Sequence, residues 1–214
     1  MSRLGVIALP MIFGLSRSFE AHVADLEGRG YPVQTVQLMD STPFFLPQVA
    51  GPGHQDRLNR LATSIDDQAV TDRIDGAISR LYGYYACDRF VLAGFGYGAI
   101  SALYAARSMT VSGVLGWYPH LVFPAGIAKQ PPDLGALTCP VRLFYGENDP
   151  ETADSLEVAQ AAQRTAAHVD VTAYPRVGHA FADRYVQGRI RNPKYKAGAA
   201  EASWQAALTW LANL

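Results

Sequence analysis

The chain is expected to fold as an α/β domain whose mostly parallel, twisted sheet carries helices on both faces. Three observations predict this: short continuously apolar runs that suit strands buried on both sides, stretches of helical period between them, and glycine or proline where the period changes. Strands alternating with helices build a parallel sheet through right-handed crossovers. At 214 residues, the chain has the size of one domain, 1–214, with a substantial core.

Leu4 to Leu9 is the first buried strand. Leu4 to Leu15 also resembles a signal-peptide core, but Pro10 interrupts it and no small-x-small cleavage site follows. Phe19, Val23 and Leu26 share one face of a helix that stops at Gly28 and Gly30. Val33 to Met39 is the second strand, and a loop rich in Pro and Gly runs from Asp40 to about Gly53. Ser64-x-x-Asp67 has the form of a capping box for a helix through Ile74, Ile78 and Leu81. Phe90 to Ala93, Val111 to Trp117, Val141 to Tyr145 and Val169 to Tyr174 are the remaining strands. Helices follow Gly98, span Ser155 to Ala167, and close the chain from Ala199 to Leu211.

The composition is that of a soluble globule: 49% apolar residues and a net charge of −1. No basic excess points to nucleic acid or a membrane surface. Cys87 and Cys139 are too few for a disulfide framework and lack metal-binding spacing, so they are expected to be reduced structural residues of a cytoplasmic protein.

The most informative segment is Gly94-Phe95-Gly96-Tyr97-Gly98, set between the run Arg89–Ala93 and the helix-forming stretch Ala99–Ala106. Strand, glycine-tight turn and helix are the context of the nucleophile elbow of α/β-hydrolases, and its nucleophile position holds Gly96. In that fold an acid and then a histidine follow along the chain. Asp149 stands after a strand, and His179 follows the last one. Singly, Asp149 could be a helix cap and His179 a polar loop residue. In this order behind an elbow, they are expected to form a dyad.

Four segments together resemble the dienelactone hydrolase family: Pro10-Met11-Ile12-Phe13-Gly14, Gly94-Phe95-Gly96-Tyr97-Gly98, Tyr145-Gly146-Glu147-Asn148-Asp149 and Gly178-His179-Ala180-Phe181. The closing stretch Ala199 to Trp204 is similar too. The resemblance implies an α/β-hydrolase fold with a minimal lid and lactone opening by a Cys–His–Asp triad, with no cofactor and no metal. It also implies an oxyanion hole from the amides of Tyr97 and Ile12. The chain departs from the family at two linked places: Gly96 replaces the cysteine, and Met11 replaces the glutamate beside the thiol. Glycine at the elbow should also relieve backbone strain of about 1–3 kcal/mol.

A dyad and an oxyanion hole without a nucleophile suit cofactor-free acid–base chemistry on a small carbonyl or lactone compound: isomerisation, elimination, addition or cyclisation. A lactone or ester hydrolase, either using dyad-activated water or represented here by a nucleophile-deleted variant, is the second reading. A ligand-binding protein without activity is the third. Met11, Phe13, Trp117, Tyr118, His120 and Phe181 are the candidate substrate contacts, though Trp117 and Tyr118 could equally be core and His120 an exposed loop residue. Arg57, Arg60 and Arg184 could hold a substrate carboxylate, but a solvated face is the default reading. The expected partner is a small molecule, without nucleic acid or membrane, bound by a monomer or homodimer.

Overall fold

The computed structural model describes residues 2–40, 54–123, 127, 129–130 and 132–214. The expected loop from Asp40 to Gly53 therefore falls, after Asp40, outside the described residues, as does the side chain of Arg57. Six strands form one sheet: β1 (Leu4–Leu9), β2 (Val33–Thr35), β3 (Arg89–Phe95), β4 (Gly113–Trp117), β5 (Val141–Gly146) and β6 (Val169–Tyr174). They pair in the order β2-β1-β3-β4-β5-β6, all parallel. Around them lie α1 (Arg17–Gly28), α2 (His54–Ser64), α3 (Asp67–Tyr85), α4 (Tyr97–Ala105), α5 (Ala153–Thr165) and α6 (Ala197–Ala212). An antiparallel pair, β7 (Tyr185–Gln187) and β8 (Ile190–Arg191), follows β6 and was not expected from the sequence.

The alternating side chains of β1 feed two cores, one on each face of the sheet. Val6 and Ala8 join Phe19 and Leu26 of α1 and Ala207 and Leu211 of α6. Ile7 and Leu9 join Ile74 and Leu81 of α3 and Ile100 and Leu103 of α4. Because both faces are covered, each strand reads as a continuous apolar run in the sequence. Cys87 and Cys139 are buried free thiols in the second of these cores.

Two expectations need correction. The second strand ends at Thr35, well before Met39: Thr35 pairs with Ala8, Val36 N–H still donates to Ala8 O (2.9 Å), and β1 then runs out at Leu9. The capping residue before α3 is Asp66, whose Oδ1 accepts from Gln68 N (2.9 Å) and Ala69 N (3.1 Å). Ser64 instead closes α2, its hydroxyl donating to Leu61 O. A carboxylate accepting two amides satisfies the first turn of α3 better than a hydroxyl two residues further out.

The chain moves outward from β1 to β2 and then returns to place β3 on the other side of β1. In parallel sheets, ligand sites form outside the carboxyl ends of strands at such a reversal. The segments after β1, β3, β4, β5 and β6 carry Met11, Gly96, His120, Asp149 and His179 respectively. Among the described residues, no helix is long and apolar enough to cross a membrane.

Candidate active site

At the end of β3 the backbone makes the tight turn its glycines anticipate. Gly96 adopts φ 52° and ψ −116°, a region that side-chain-bearing residues rarely occupy, and opens α4. Its N–H donates to Trp117 O (2.9 Å), which ties the turn to the end of β4. The flanking glycines are there for a different reason. A Cβ at Gly98 would lie 2.4 Å from Pro10 O, and one at Gly94 would lie 2.4 Å from Ala99 N. At Gly96, by contrast, a Cβ would meet only Met11 Cγ, at 3.7 Å. Packing excludes side chains at 94 and 98; at 96 only the backbone conformation disfavours one.

Met11 is buried, and the turn after it is closed by Gly14 N–H donating to Met11 O (2.8 Å). Among the described residues, neither Ile12 N–H nor Tyr97 N–H donates to a protein acceptor. Tyr97 N–H also belongs to the first turn of α4, where the helix dipole favours negative charge.

The acid and the histidine are held together by their own loops. A Cβ at Gly146 would lie 2.4 Å from Val177 O, and Asn148 N–H donates to that same oxygen (2.9 Å). This close approach sets His179 Nδ1 2.8 Å from Asp149 Oδ2. Asp149 is almost wholly buried. Its Oδ1 accepts from Glu151 N (2.9 Å), and its Oδ2 also accepts from the Thr152 hydroxyl (2.5 Å). Burial raises its pKa, but the hydrogen bond and charge of His179 with these two donors leave it below the usual carboxylate value. For His179, burial pushes the imidazole down, and the hydrogen bond and charge of Asp149 with the charge of Glu151 prevail, so its pKa is raised.

The imidazole of His179 lies edge-on to Tyr118 (centroids 5.3 Å apart) and beside His120 (5.3 Å). Tyr118 directly follows Trp117, whose carbonyl holds Gly96, so the histidine loop and the elbow meet at the end of β4. Tyr118, two residues before His120, and Ala180, next to His179, are non-glycine residues with positive φ (43° and 56°). Strained backbone of this kind gathers at functional sites. Burial and the adjacent His179 push His120 down to about 4.

Several candidates are buried or already engaged. Trp117 is a core residue, stacked on Phe95 (4.5 Å) and near Phe144 and Trp204, with its indole N–H on Ser203. Phe181 is fully buried against Tyr118 and Tyr174. Tyr118 is fully buried as well, its hydroxyl donating to Asp183 Oδ2. All three aromatics are buried and not open to a substrate. The Tyr97 hydroxyl is engaged too, donating to Ala62 O (3.2 Å) and accepting from Lys129 Nζ (2.6 Å). Phe13 is partly buried against the same core as Met11, Arg60 is exposed, and the Arg184 guanidinium lies over the Tyr185 ring.

Glu151 escaped sequence reasoning. Its Oε2 lies 3.9 Å from His179 Nε2, and its Oε1 is paired with Lys194 Nζ. An acid two residues beyond Asp149 looks like an ordinary first-turn helix residue, and nothing local distinguishes it. Asp183, in the loop before β7, likewise has no local mark in the sequence; burial lifts its carboxyl to about 7 despite the Tyr118 hydrogen bond.

A family model described as the dienelactone hydrolase family matches residues 2–214. A Bradyrhizobium protein named "Probable 2-oxo-3-(5-oxofuran-2-ylidene)propanoate lactonase" is 24% identical over 215 residues, covering 96% of this chain and 82% of that protein. An Escherichia coli protein named "Putative carboxymethylenebutenolidase" is 34% identical over 128 residues, covering 57% of this chain. That match spans 45% of the relative's own length, less than half of it. The solved structure of a "Putative Dienelactone Hydrolase" from Klebsiella pneumoniae subsp. pneumoniae superposes with a TM-score of 0.79 at 22% identity, covering 100% of this chain and 88% of that one. At this identity the superposition establishes the α/β-hydrolase fold.

Proposed function

The chain belongs to the dienelactone hydrolase family, and from that premise we propose that it is an enzyme of proton-transfer chemistry on a small lactone or related carbonyl compound. The observation that carries the proposal is a hydrogen-bonded Asp149–His179 pair at the same carboxyl edge of the sheet as an elbow that keeps its turn at Gly96 with no nucleophile. Asp149 accepts the Nδ1 proton of His179, which leaves Nε2 as the base. The amides of Ile12 and Tyr97, without a protein acceptor among the described residues, take the carbonyl oxygen as negative charge develops on it. One such donor contributes roughly 3–4 kcal/mol in enzymes where it has been removed.

With no group at position 96 to attack the carbonyl, no covalent intermediate forms there. The base withdraws a proton from the carbon beside the carbonyl, giving an enolate held by the two amides. Returning that proton elsewhere isomerises the substrate; expelling or adding an oxygen eliminates, adds or cyclises. The lactonase name of the Bradyrhizobium relative favours a second use of the same base, in which His179 deprotonates a water that opens the lactone directly.

The test is turnover of unsaturated γ-lactones in D2O and in 18O-labelled water. Deuterium at carbon in a product of unchanged mass formula marks enolate chemistry, whereas 18O in an opened acid marks hydrolysis. Intact-protein mass should show no acyl adduct in either case. Full activity in His179→Ala would refute both.

A further inference from the structure

We infer that His120, Glu151 and His179 form a binding site for a divalent transition-metal ion of the Zn2+ type. We further infer that the ion, once bound, withholds His179 Nε2 from the reaction. One donor atom from each residue lies within 4.8 Å of the other two, and His179 Nε2 stands 3.9 Å from Glu151 Oε2. Tetrahedral zinc with bonds of about 2.1 Å holds its donors about 3.4 Å apart. The side chains must therefore close in by roughly 1 Å, which the part-exposed Glu151 can do by rotating about its own bonds. Two imidazoles and one carboxylate suit zinc and its neighbours rather than magnesium or calcium, which prefer an all-oxygen set. Three protein donors leave a coordination position open.

The surroundings already orient each donor. Asp149 holds the Nδ1 proton of His179, so Nε2 presents a lone pair toward Glu151. A carboxylate behind a ligating histidine is the usual supporting group of such sites. Lys194 occupies Oε1 of Glu151 and leaves Oε2 facing the histidines. Among the described residues, no protein group hydrogen-bonds to the ring nitrogens of His120, and its ring packs beside that of His179. The three residues follow β4, β5 and β6, far apart in the chain, so no ligand spacing marks them in the sequence.

The Nε2 lone pair can hold a metal or accept a proton, but not both at once. The binding site stands on geometry alone, while the inhibition rests on the base role assigned to His179 above. Zinc should titrate chelator-treated protein to one equivalent by calorimetry, and Co2+ should give the visible absorption of a low-symmetry site. Glu151→Gln and His120→Ala should each weaken binding at least tenfold, with near-UV circular dichroism unchanged. His168→Ala, whose histidine bonds Leu134 O away from the cluster, should leave binding intact. Zinc should also inhibit wild-type turnover with a constant equal to its Kd, and inhibition of Glu151→Gln should need at least ten times more. Absence of binding, or binding indifferent to both ligand substitutions, overturns the site. Zinc that binds through these residues yet leaves turnover unchanged, or raises it, upholds the site and overturns the base role of His179.

Discussion

His22, against Phe95 of the elbow strand, and His179, hydrogen-bonded to Asp149, have opposite electrostatic fates. His22, on α1, stacks on Phe95 (5.2 Å) and packs near Trp204 (4.3 Å), with Nε2 buried and without a hydrogen-bond partner among the described residues. Burial drives its pKa from 6.5 down to about 4, with the charge of Asp25 opposing only in part. His179 is also shielded, yet Asp149 and Glu151 raise its pKa. Burial penalises the charged form of both rings, and only a carboxylate partner reverses the outcome. The apolar side under β3 supports the turn; the polar side at the ends of β5 and β6 supplies the groups that can exchange protons.

Substitutions that break this contrast should rank as follows. His179→Ala should lower turnover by about 10²–10⁴-fold, the usual contribution of a positioned base, with little change in melting temperature. Trp117→Ala, on the apolar side, should do the reverse and cost about 3–5 kcal/mol in denaturant unfolding, as large buried aromatics do. Gly96→Ala lies between the two regions. Its Cβ has room beside Met11, so the loss should be limited to backbone strain of about 1–3 kcal/mol, measurable by the same unfolding experiment.

A further effect concerns pH. Between 6.5 and about 4, the unfolded chain binds a proton at His22 that the native protein refuses. Stability should therefore fall as pH drops through that window. His22→Phe should flatten the fall by up to one proton per molecule and leave stability above pH 7 on the same slope. An unchanged slope in the variant would mean that the native protein can protonate His22 where it sits.

The elbow was legible because its demands are local: a strand, a turn that needs glycine, and a helix all fall within a few residues of Gly96. Asp149 and His179 were legible because their order after the elbow follows from the order of the strands. Trp117 stayed open between pocket wall and core because a large aromatic at a strand's end can face either. The parity of β4 decides, and it turns Trp117 with Leu115 toward Trp204 of α6. The short second strand was overextended for a related reason, since its length depends on where its neighbour β1 stops.

Period, glycine placement and motif order thus determined the parallel α/β architecture, the turn at Gly96 and the pairing of Asp149 with His179, because each depends on neighbours close in the chain or on strand sequence. Only the tertiary structure decided that Glu151 and His120 lie beside His179, that Trp117 and Phe181 are buried and not pocket wall, and that His22 Nε2 is buried without a hydrogen-bond partner among the described residues. Those outcomes depend on which loops of distant strands converge at one edge of the sheet, and hydrophobic pattern carries no record of that convergence.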